Sequence, residues 1–361
     1  MSDPAPLPPG SRIGILGGGQ LGRMLSLATS RLGMKTHIYC PDPDSPAFEV
    51  TPHKTVAAYD DEAALAAFAE AVDVVTYEFE NVPDATARFL AARKPLAPNA
   101  EALATSQDRI REKTFLQGAG QRVAAWRPVK TRADLERALS EIGTPAVLKT
   151  ARFGYDGKGQ RTIRSSGDAE AAFAALGGSA PLVLEAFVPF EKEISVIVAR
   201  NASGETATYD PAENTHRDHI LKLSTVPAAI SPALAEQAAL AARAIAEELA
   251  YVGVMGIEFF VAGDAMLVNE IAPRVHNSGH WTEAVCATDQ FENHIRAVAN
   301  WPLGDTRRFA DVEMENLIGD EAGAVLDRLA PGSRPQLYGK AEARPGRKMG
   351  HINRVIPWRE P

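Results

Sequence analysis

Two glutamates interrupt otherwise apolar segments of the chain. Glu258 lies within residues 257–260, and Glu270 lies within residues 266–271 beside Asn269. Burial of a carboxylate is costly unless the group is paired or bound to a metal ion. Carboxylates next to an amide suit Mg²⁺, a hard cation that takes oxygen ligands. The alternative is that both glutamates face solvent on an edge strand.

The turn between these glutamates decides whether they can act together. Gly263-Asp264 separates the two segments, which we expect to form a hairpin. A regular two-residue turn would pair Glu258 with Asn269 and send Glu258 and Glu270 to opposite faces of the sheet. Joint metal binding by these glutamates therefore requires a bulge or a three-residue connection.

The first of two glycine-rich segments follows an apolar run at residues 12–16. Gly17, Gly19 and Gly22 precede a helical stretch over residues 23–32, and Asp42 follows further along. This is the spacing of a dinucleotide fingerprint, in which glycines let the backbone approach a phosphate at a helix N-terminus. A tight strand-to-helix turn without any ligand explains the same glycines.

The second glycine-rich segment covers residues 153–160 and lies between two strand-like runs, the first of which contains Lys149. Three glycines and Lys158 in such a connection suit a flexible flap whose amides close over a polyphosphate. The segment lacks Walker spacing, and a plain glycine-rich turn is the alternative.

Two further segments carry groups that could bind a substrate. Glu78 and Glu80 follow the third predicted strand, at the strand end that lines the ligand crevice of open parallel sheets. Arg274, His276 and His280 lie in a turn-rich stretch. The histidines lack a third zinc ligand, so we favour an anion site anchored by Arg274.

The order of the helices and strands that must position these groups differs from one region of the chain to the next. In the first hundred residues strands alternate with helices, which predicts a parallel sheet. A helix over residues 131–142 and strand-like runs at 146–150, 160–164, 182–188 and 193–200 then precede a helix capped by Ser231. This order favours an α+β domain on an antiparallel sheet, followed by a basic segment in which residues 331–361 hold seven basic and two acidic side chains.

Composition narrows the class of protein. The 361 residues have a formal net charge of −8 and contain two distant cysteines. We therefore expect neither a nucleic-acid binder nor a disulfide or zinc framework. The N-terminus lacks the pattern of a secretory signal, and no apolar run approaches the roughly 20 residues that span a bilayer. A soluble cytoplasmic protein without a membrane partner is expected.

Taken in order, residues 17–24, 77–81, 154–160, 269–281 and 338–351 resemble the 5-(carboxyamino)imidazole ribonucleotide synthase family of the ATP-grasp superfamily. The resemblance runs from about residue 12 to residue 353. It implies an α/β and α+β chain with the ATP-grasp fold. The implied domains are a Rossmann-like parallel-sheet domain (1–104), a central two-lobed ATP-grasp domain with a glycine-rich flap (105–300), and a small, basic, β-rich C-terminal domain (301–361).

The resemblance also implies a site for each substrate. ATP contacts are implied at Arg109, Lys149, Gly154, Tyr155, Asp156, Gly157, Lys158, Gly159, Gln160, Glu185, Ala186, Phe187, Val188, Glu193, His216, Asn269 and Glu270. Ribonucleotide contacts are implied at Gln20, Leu21, Glu78, Tyr155, Arg274, His276, Asn277, Ser278, Lys340, Arg347 and Lys348, the last three for its phosphate. Mg²⁺ is implied at Glu258 and Glu270, and a homodimer is expected.

The implied reaction joins ATP, bicarbonate and 5-aminoimidazole ribonucleotide through carboxyphosphate. We hypothesise that Arg274 holds bicarbonate, that Tyr155 and Lys158 bring the flap onto the departing phosphate, and that Glu78 orients the amine. The alternatives are a formate-dependent glycinamide ribonucleotide formyltransferase, an NAD(P)-dependent oxidoreductase using the first glycine loop, and a non-catalytic nucleotide-binding module.

Overall fold

The N-terminal sheet is parallel, as its alternating elements predict. The computed structural model describes residues 5–154, 157–176 and 181–358. The strands are β1 Arg12–Leu16, β2 Lys35–Tyr39, β3 His53–Thr55 and β4 Val74–Tyr77, in the order β3-β2-β1-β4. The helices of this region are α1 Gln20–Arg31, α2 Glu62–Glu70, α3 Asp84–Ala91, α4 Ala100–Ser106 and α5 Arg109–Gly118. The carboxyl ends of β1 and β4 lie side by side, because Leu16 pairs with Tyr77.

A small antiparallel sheet follows. Its strands are β5 Trp126–Val129, β6 Ala146–Thr150, β7 Gln160–Ile163 and β8 Leu182–Ala186, in the order β5-β8-β6-β7. Helices α6 Arg132–Ile142 and α7 Ala169–Leu176 pack on it. The predicted capping box of α6 is present, since Thr131 accepts a hydrogen bond from the amide of Asp134 and Asp134 accepts one from the amide of Thr131.

A large antiparallel sheet forms the centre of the molecule. It runs β14-β13-β9-β11-β12-β15-β17-β16, and β10 pairs with β9. Its strands are β9 Lys192–Arg200, β10 Thr206–Thr208, β11 Ala212–Arg217, β12 Ile220–Val226, β13 Gly253–Ala262, β14 Ala265–Ala272, β15 Asp311–Ile318, β16 Ser333–Leu337 and β17 Lys348–Ile356. The C-terminal strands therefore extend the central sheet through β12 and β15.

Helices cover this sheet and join it to the N-terminal region. They are α8 Pro232–Glu248, α9 Thr282–Val285 and α10 Gln290–Val298, and short 3-10 helices span Pro46–Val50, Ser166–Asp168, Asn277–Gly279, Gly319–Ala324 and Leu326–Arg328. As predicted, Ser231 caps α8 and accepts a hydrogen bond from the amide of Leu234. One apolar core joins α1, α10 and the C-terminal strands. None of the helices in the described ranges is long and apolar enough to cross a membrane.

Candidate active site

A cavity of about 800 Å³ lies between the small sheet and the central sheet. Most of the residues implied to contact ATP line this cavity, namely Arg109, Lys149, Gly154, Gly157, Lys158, Gln160, Glu185, Ala186, Phe187, Val188, Glu193, His216, Asn269 and Glu270. Gly159 is described but is not among its lining residues, and Tyr155 and Asp156 lie outside the described residues. Sequence positions more than 150 residues apart therefore meet around one space large enough for a nucleotide.

A bulge brings the two predicted metal ligands to the same face of the hairpin. Ala262 pairs with Ala265 across a two-residue turn, but the register shifts between Glu258 and Phe259. Phe259 pairs with Val268 and Glu258 pairs with Glu270, which leaves Asn269 as the extra residue. Side chains directly opposite each other on paired strands share a face. The condition for joint metal binding is met, and both carboxylates line the cavity.

The second glutamate alters the protonation of the first. Burial and the nearby Glu270 carboxylate raise the pKa of Glu258 to about 7, although the positive charge of His216 opposes the rise. His276 Nε2 lies 3.6 Å from Glu258 Oε1. Burial, Arg274 and Lys348 lower the pKa of His276 to about 3, so this imidazole is neutral near pH 7 and does not balance the acidic pair. The pair is therefore suited to a cation.

A buried ion triad forms another wall of the cavity. Glu185 Oε2 accepts a hydrogen bond from Lys149 Nζ at 3.0 Å and forms an ion pair with Lys113 Nζ at 3.1 Å. Burial alone would raise the pKa of Glu185, but Lys149, Lys113 and Arg109 outweigh it and lower this pKa to about 2. The other carboxylate oxygen, Oε1, is buried without a hydrogen-bond partner. Glu185 is thus ionised and retains acceptor capacity at the cavity wall.

Helix α5 connects this wall to the hairpin that carries the two predicted metal ligands. Its first residue, Arg109, donates to Glu270 Oε2 at 3.2 Å, and Glu112 accepts from the amide of Ile271 at 2.7 Å. Burial and the proximity of Glu270 raise the pKa of Glu112 to about 8, with Arg109 and Lys113 opposing. One turn of α5 therefore contacts both sheets that enclose the cavity.

The predicted anion anchor, Arg274, is held by a carboxylate from the N-terminal domain. Its Nε and Nη2 donate to the two oxygens of Glu80 at 2.5 and 3.0 Å, and its Nη1 donates to the carbonyl of Val275. Burial would raise the pKa of Glu80, but Arg274 lowers it to about 2. An arginine has five N–H donors. The three used here leave two for a ligand.

Glu78 closes the first glycine loop. Its carboxylate accepts from the amides of Gly19 at 3.0 Å and Gly22 at 3.3 Å. Burial raises the pKa of Glu78, while Gly19, Arg274 and Gly22 oppose the rise. A carboxylate on these amides occupies the place that a dinucleotide phosphate needs. The geometry therefore disfavours the oxidoreductase alternative.

The residues implied for the ribonucleotide fall into several groups. Arg274, His276, Asn277 and Lys348 line the cavity. Both polar side-chain atoms of Asn277 are buried without a partner. Ser278 is fully buried beneath His276 and bonds to His276 Nδ1 at 2.8 Å and to Ser195 at 2.7 Å.

The remaining implied positions lie outside the cavity lining. Gln20 begins α1, and the side chain of Leu21 packs in the core. Lys340 Nζ donates to the carbonyl of Lys348 at 2.7 Å, and Arg347 Nη1 donates to the carbonyl of Glu342 at 2.9 Å. Burial and Arg347 lower the pKa of Lys340 to about 8, despite the opposing charge of Glu78.

The second glycine loop meets a turn of the central sheet. A side chain at Gly157, where φ is +74°, would lie 2.5 Å from the ring of His219. His219 and Asp218 form the two-residue turn between β11 and β12, with φ of +64° and +53°. The β11–β12 turn thus contacts the flap where both segments line the cavity.

The contacts of the site that the sequence predictions missed include those of Lys113, Glu112 and His219. Lys113 and Glu112 lie on α5, where charged residues usually face solvent, and only the fold shows that they are buried. A partial local signal existed for His219, because Asp218-His219 between two strand-like runs is a tight-turn pattern, but the sequence does not indicate that this turn meets the glycine loop.

Family models match the chain in three consecutive parts. Residues 11–107 match the ribonucleotide synthetase preATP-grasp domain, and residues 114–291 match the ATP-grasp domain. Residues 313–359 match the phosphoribosylaminoimidazole carboxylase C-terminal domain.

Relatives match over almost the whole chain. The N5-carboxyaminoimidazole ribonucleotide synthase of Brucella melitensis is 53% identical over 359 residues, covering 98% of this chain and 99% of the relative. That of Bacillus subtilis is 44% identical, covering 95% and 91%. A solved ADP complex of an N5-carboxyaminoimidazole ribonucleotide synthetase superposes with a TM-score of 0.94 at 43% identity, covering 98% and 94%. An Aspergillus clavatus synthase in complex with ADP and 5-aminoimidazole ribonucleotide superposes with a TM-score of 0.90 at 32% identity, covering 97% and 94%.

Proposed function

The chain belongs to the N5-carboxyaminoimidazole ribonucleotide synthase family of ATP-grasp ligases, and on that premise we propose how its site works. The proposed reaction is the ATP-dependent carboxylation of 5-aminoimidazole ribonucleotide by bicarbonate, giving the N5-carboxyamino ribonucleotide, ADP and phosphate in purine biosynthesis. The observation that carries this proposal is the register of β13 and β14. It places Glu258 opposite Glu270 in a cavity that also contains Lys149 and Arg109.

The residues present fit a magnesium ion. Glu258 and Glu270 face each other, and burial beside another carboxylate raises the pKa of Glu258 to about 7, which a bound cation would reverse. Two carboxylates with phosphate oxygens and water form a typical Mg²⁺ ligand set. When bound, Mg²⁺ supplies charge neutralisation for the phosphate oxygens of ATP.

The residues of the cavity are suited to positioning ATP and its phosphates. Bicarbonate is a poor electrophile, so one of its oxygens first takes the γ-phosphoryl group, which yields ADP and carboxyphosphate. Phosphoryl transfer depends mainly on positioning and electrostatic stabilisation. Lys149, Arg109 and Lys158 line the cavity as positive groups, and the flap that contains Lys158 excludes water from the labile mixed anhydride.

The amine then forms the new C–N bond. The exocyclic nitrogen attacks the carboxyl carbon, the C–O bond to phosphate breaks, and the amine loses a proton. We assign orientation of this amine to Glu78, which the amides of Gly19 and Gly22 hold in place. The two unused N–H groups of Arg274 hold bicarbonate, while Glu80 fixes the guanidinium plane.

The deciding experiment measures ADP release with 5-aminoimidazole ribonucleotide in CO₂-depleted buffer. Added bicarbonate should restore ADP release together with stoichiometric carboxylated product. A second arm offers formate and glycinamide ribonucleotide. Turnover in that arm alone would favour the formyltransferase, and ATP binding without ADP release in either arm would favour a non-catalytic module.

Two further expectations accompany this function. A homodimer is proposed from the family resemblance, and light scattering of the purified chain tests it. A cytoplasmic location also stays a prediction, which cell fractionation tests.

A further inference from the structure

Lys113 is buried next to the nucleotide cavity without lining it. Its side chain is 1% exposed, and its ammonium lies 3.1 Å from Glu185 Oε2. Lysine is almost never buried without a partner. The cavity wall is formed instead by Glu185 and Lys149, which both contact the enclosed space. Lys113 thus acts on the cavity only through these residues.

The charges of the triad explain why a second lysine is present. Lys149 and Glu185 alone would form a neutral pair. If the Lys149 ammonium then moved from Glu185 to a nucleotide, the buried Glu185 carboxylate would be left without an ionic partner. An unpaired buried charge is strongly unfavourable. With Lys113 in place, Glu185 keeps an ionic partner when Lys149 turns away. The triad has a formal net charge of +1, which is available to an anionic ligand.

The position of Lys113 on α5 strengthens this reading. The preceding residue, Glu112, binds the amide of Ile271, and Arg109 binds Glu270, so the helix is fixed against the hairpin that carries the two predicted metal ligands. Lys113 extends from the same turn to β8, which carries Glu185. The second cation is therefore held at a fixed distance from both sheets, whereas Lys149 needs only to rotate its own side chain.

We propose that Lys113 is a positioning residue for the nucleotide site: its ion pair with Glu185 releases Lys149 to bind the phosphates or base of ATP. The inference rests on the proposed ATP-dependent function and adds a specific requirement to it. ATP affinity should depend on Lys113, while ribonucleotide and bicarbonate affinity should not.

The test compares Lys113→Met with Lys113→Arg, using Lys130→Met as a control at an exposed lysine of the small lobe. Lys113→Met should raise the KM for ATP by about tenfold or more, the factor that corresponds to losing one charge-assisted hydrogen bond. The KM values for the ribonucleotide and bicarbonate should stay within about twofold, the scatter expected of uncoupled sites. Lys113→Arg keeps the charge and should retain most of the ATP affinity.

A double-mutant cycle with Glu185→Gln separates positioning from a general structural role. Without the carboxylate nothing retains Lys149, so Lys113→Met should add little to the KM for ATP in the Glu185→Gln background. Equal effects in both backgrounds would overturn the proposal, and so would a rise in all three KM values. ADP binding by calorimetry provides a readout that does not need turnover. If the unmodified chain does not bind ADP, the proposed function itself is contradicted.

Folding of the variants is checked by thermal unfolding. If Lys113→Met does not fold, Lys113→Gln takes its place in the same cycle, because it retains a hydrogen-bond donor without the charge. Failure of both neutral variants to fold, while Glu185→Gln and Lys113→Arg fold normally, would assign Lys113 to stability alone and overturn the proposal.

Discussion

Glu258 and Glu270 lie directly opposite each other on neighbouring antiparallel strands because Asn269 is left unpaired between them. In a regular ladder with the same two-residue turn, Asn269 would face Glu258. The bulge turns both carboxylates into one cavity and raises the pKa of Glu258 to about 7. Bulges recur beside active sites, where they redirect a side chain.

Replacement of Glu270 by Gln should stop chemistry and leave ribonucleotide binding largely intact. The amide keeps the size of the side chain and removes a charged oxygen ligand of the proposed Mg²⁺. Mutation of a residue that only hydrogen-bonds to a metal ligand typically lowers metal affinity or activity by about 10- to 100-fold. For a direct ligand we therefore expect the rate of ADP formation to fall at least about 100-fold. Single-turnover ADP release and equilibrium binding of the ribonucleotide measure the two effects. Glu248→Gln, on the exposed end of α8, is the matched control, and normal turnover of Glu270→Gln would refute the metal assignment.

Local patterns in the sequence predicted many of the elements, whereas most residues of the cavity were implied only by the family resemblance. The capping box of α6, the parallel order of the first sheet and the hairpin around Gly263 follow from short-range rules. From the sequence, a bulge could be named only as a requirement for joint metal binding by Glu258 and Glu270. Its position at Asn269 could not be predicted, because strand register depends on packing along the whole sheet. The ion pair of Lys113 with Glu185 joins residues far apart in sequence, and no local pattern indicates which charged side chain of α5 is buried.

The C-terminal lysines provide a test of the proposed phosphate site for the ribonucleotide. Lys348 lines the cavity at the start of β17. Lys348→Ala should weaken the apparent affinity for the ribonucleotide by roughly tenfold or more, the value of one hydrogen bond from a charged donor. The KM for ATP should change far less. Lys130→Ala on the small lobe serves as the control, and an unchanged ribonucleotide affinity in Lys348→Ala would remove the phosphate role.

Ribonucleotide affinity should also fall as the pH rises through 8. Burial and Arg347 lower the pKa of Lys340 to about 8, so its ammonium is charged below that pH and neutral above it. The second pKa of a phosphate ester is about 6, so the ligand stays a dianion across this window, and of these two groups only the lysine titrates. A bound phosphate stabilises the charged ammonium and so raises the pKa of Lys340. By thermodynamic linkage, the ribonucleotide must then bind more tightly at lower pH, where Lys340 is already charged. Affinity measured on both sides of pH 8 checks this prediction. Lys340→Arg should flatten the profile because arginine stays charged, and an identical slope in that variant would assign the titration elsewhere.

Gly157→Ala should uncouple ATP cleavage from carboxylation. Gly157 has a φ of +74°, and an added Cβ would lie 2.5 Å from His219. The left-handed backbone costs an alanine about 1 kcal/mol or more, and the contact with the β11–β12 turn must also open. Because a flap that closes poorly admits water to carboxyphosphate, more ADP should form per molecule of carboxylated product. The ratio of these two products is the measurement.

Gly167→Ala, whose Cβ would have only a contact of 3.6 Å with Ser165, is the matched control in the same lobe. Adding His219→Gly to Gly157→Ala removes the clash and leaves the backbone cost, so the double variant should recover part of the coupling. A product ratio of one in Gly157→Ala alone would show that closure of the flap does not depend on this contact.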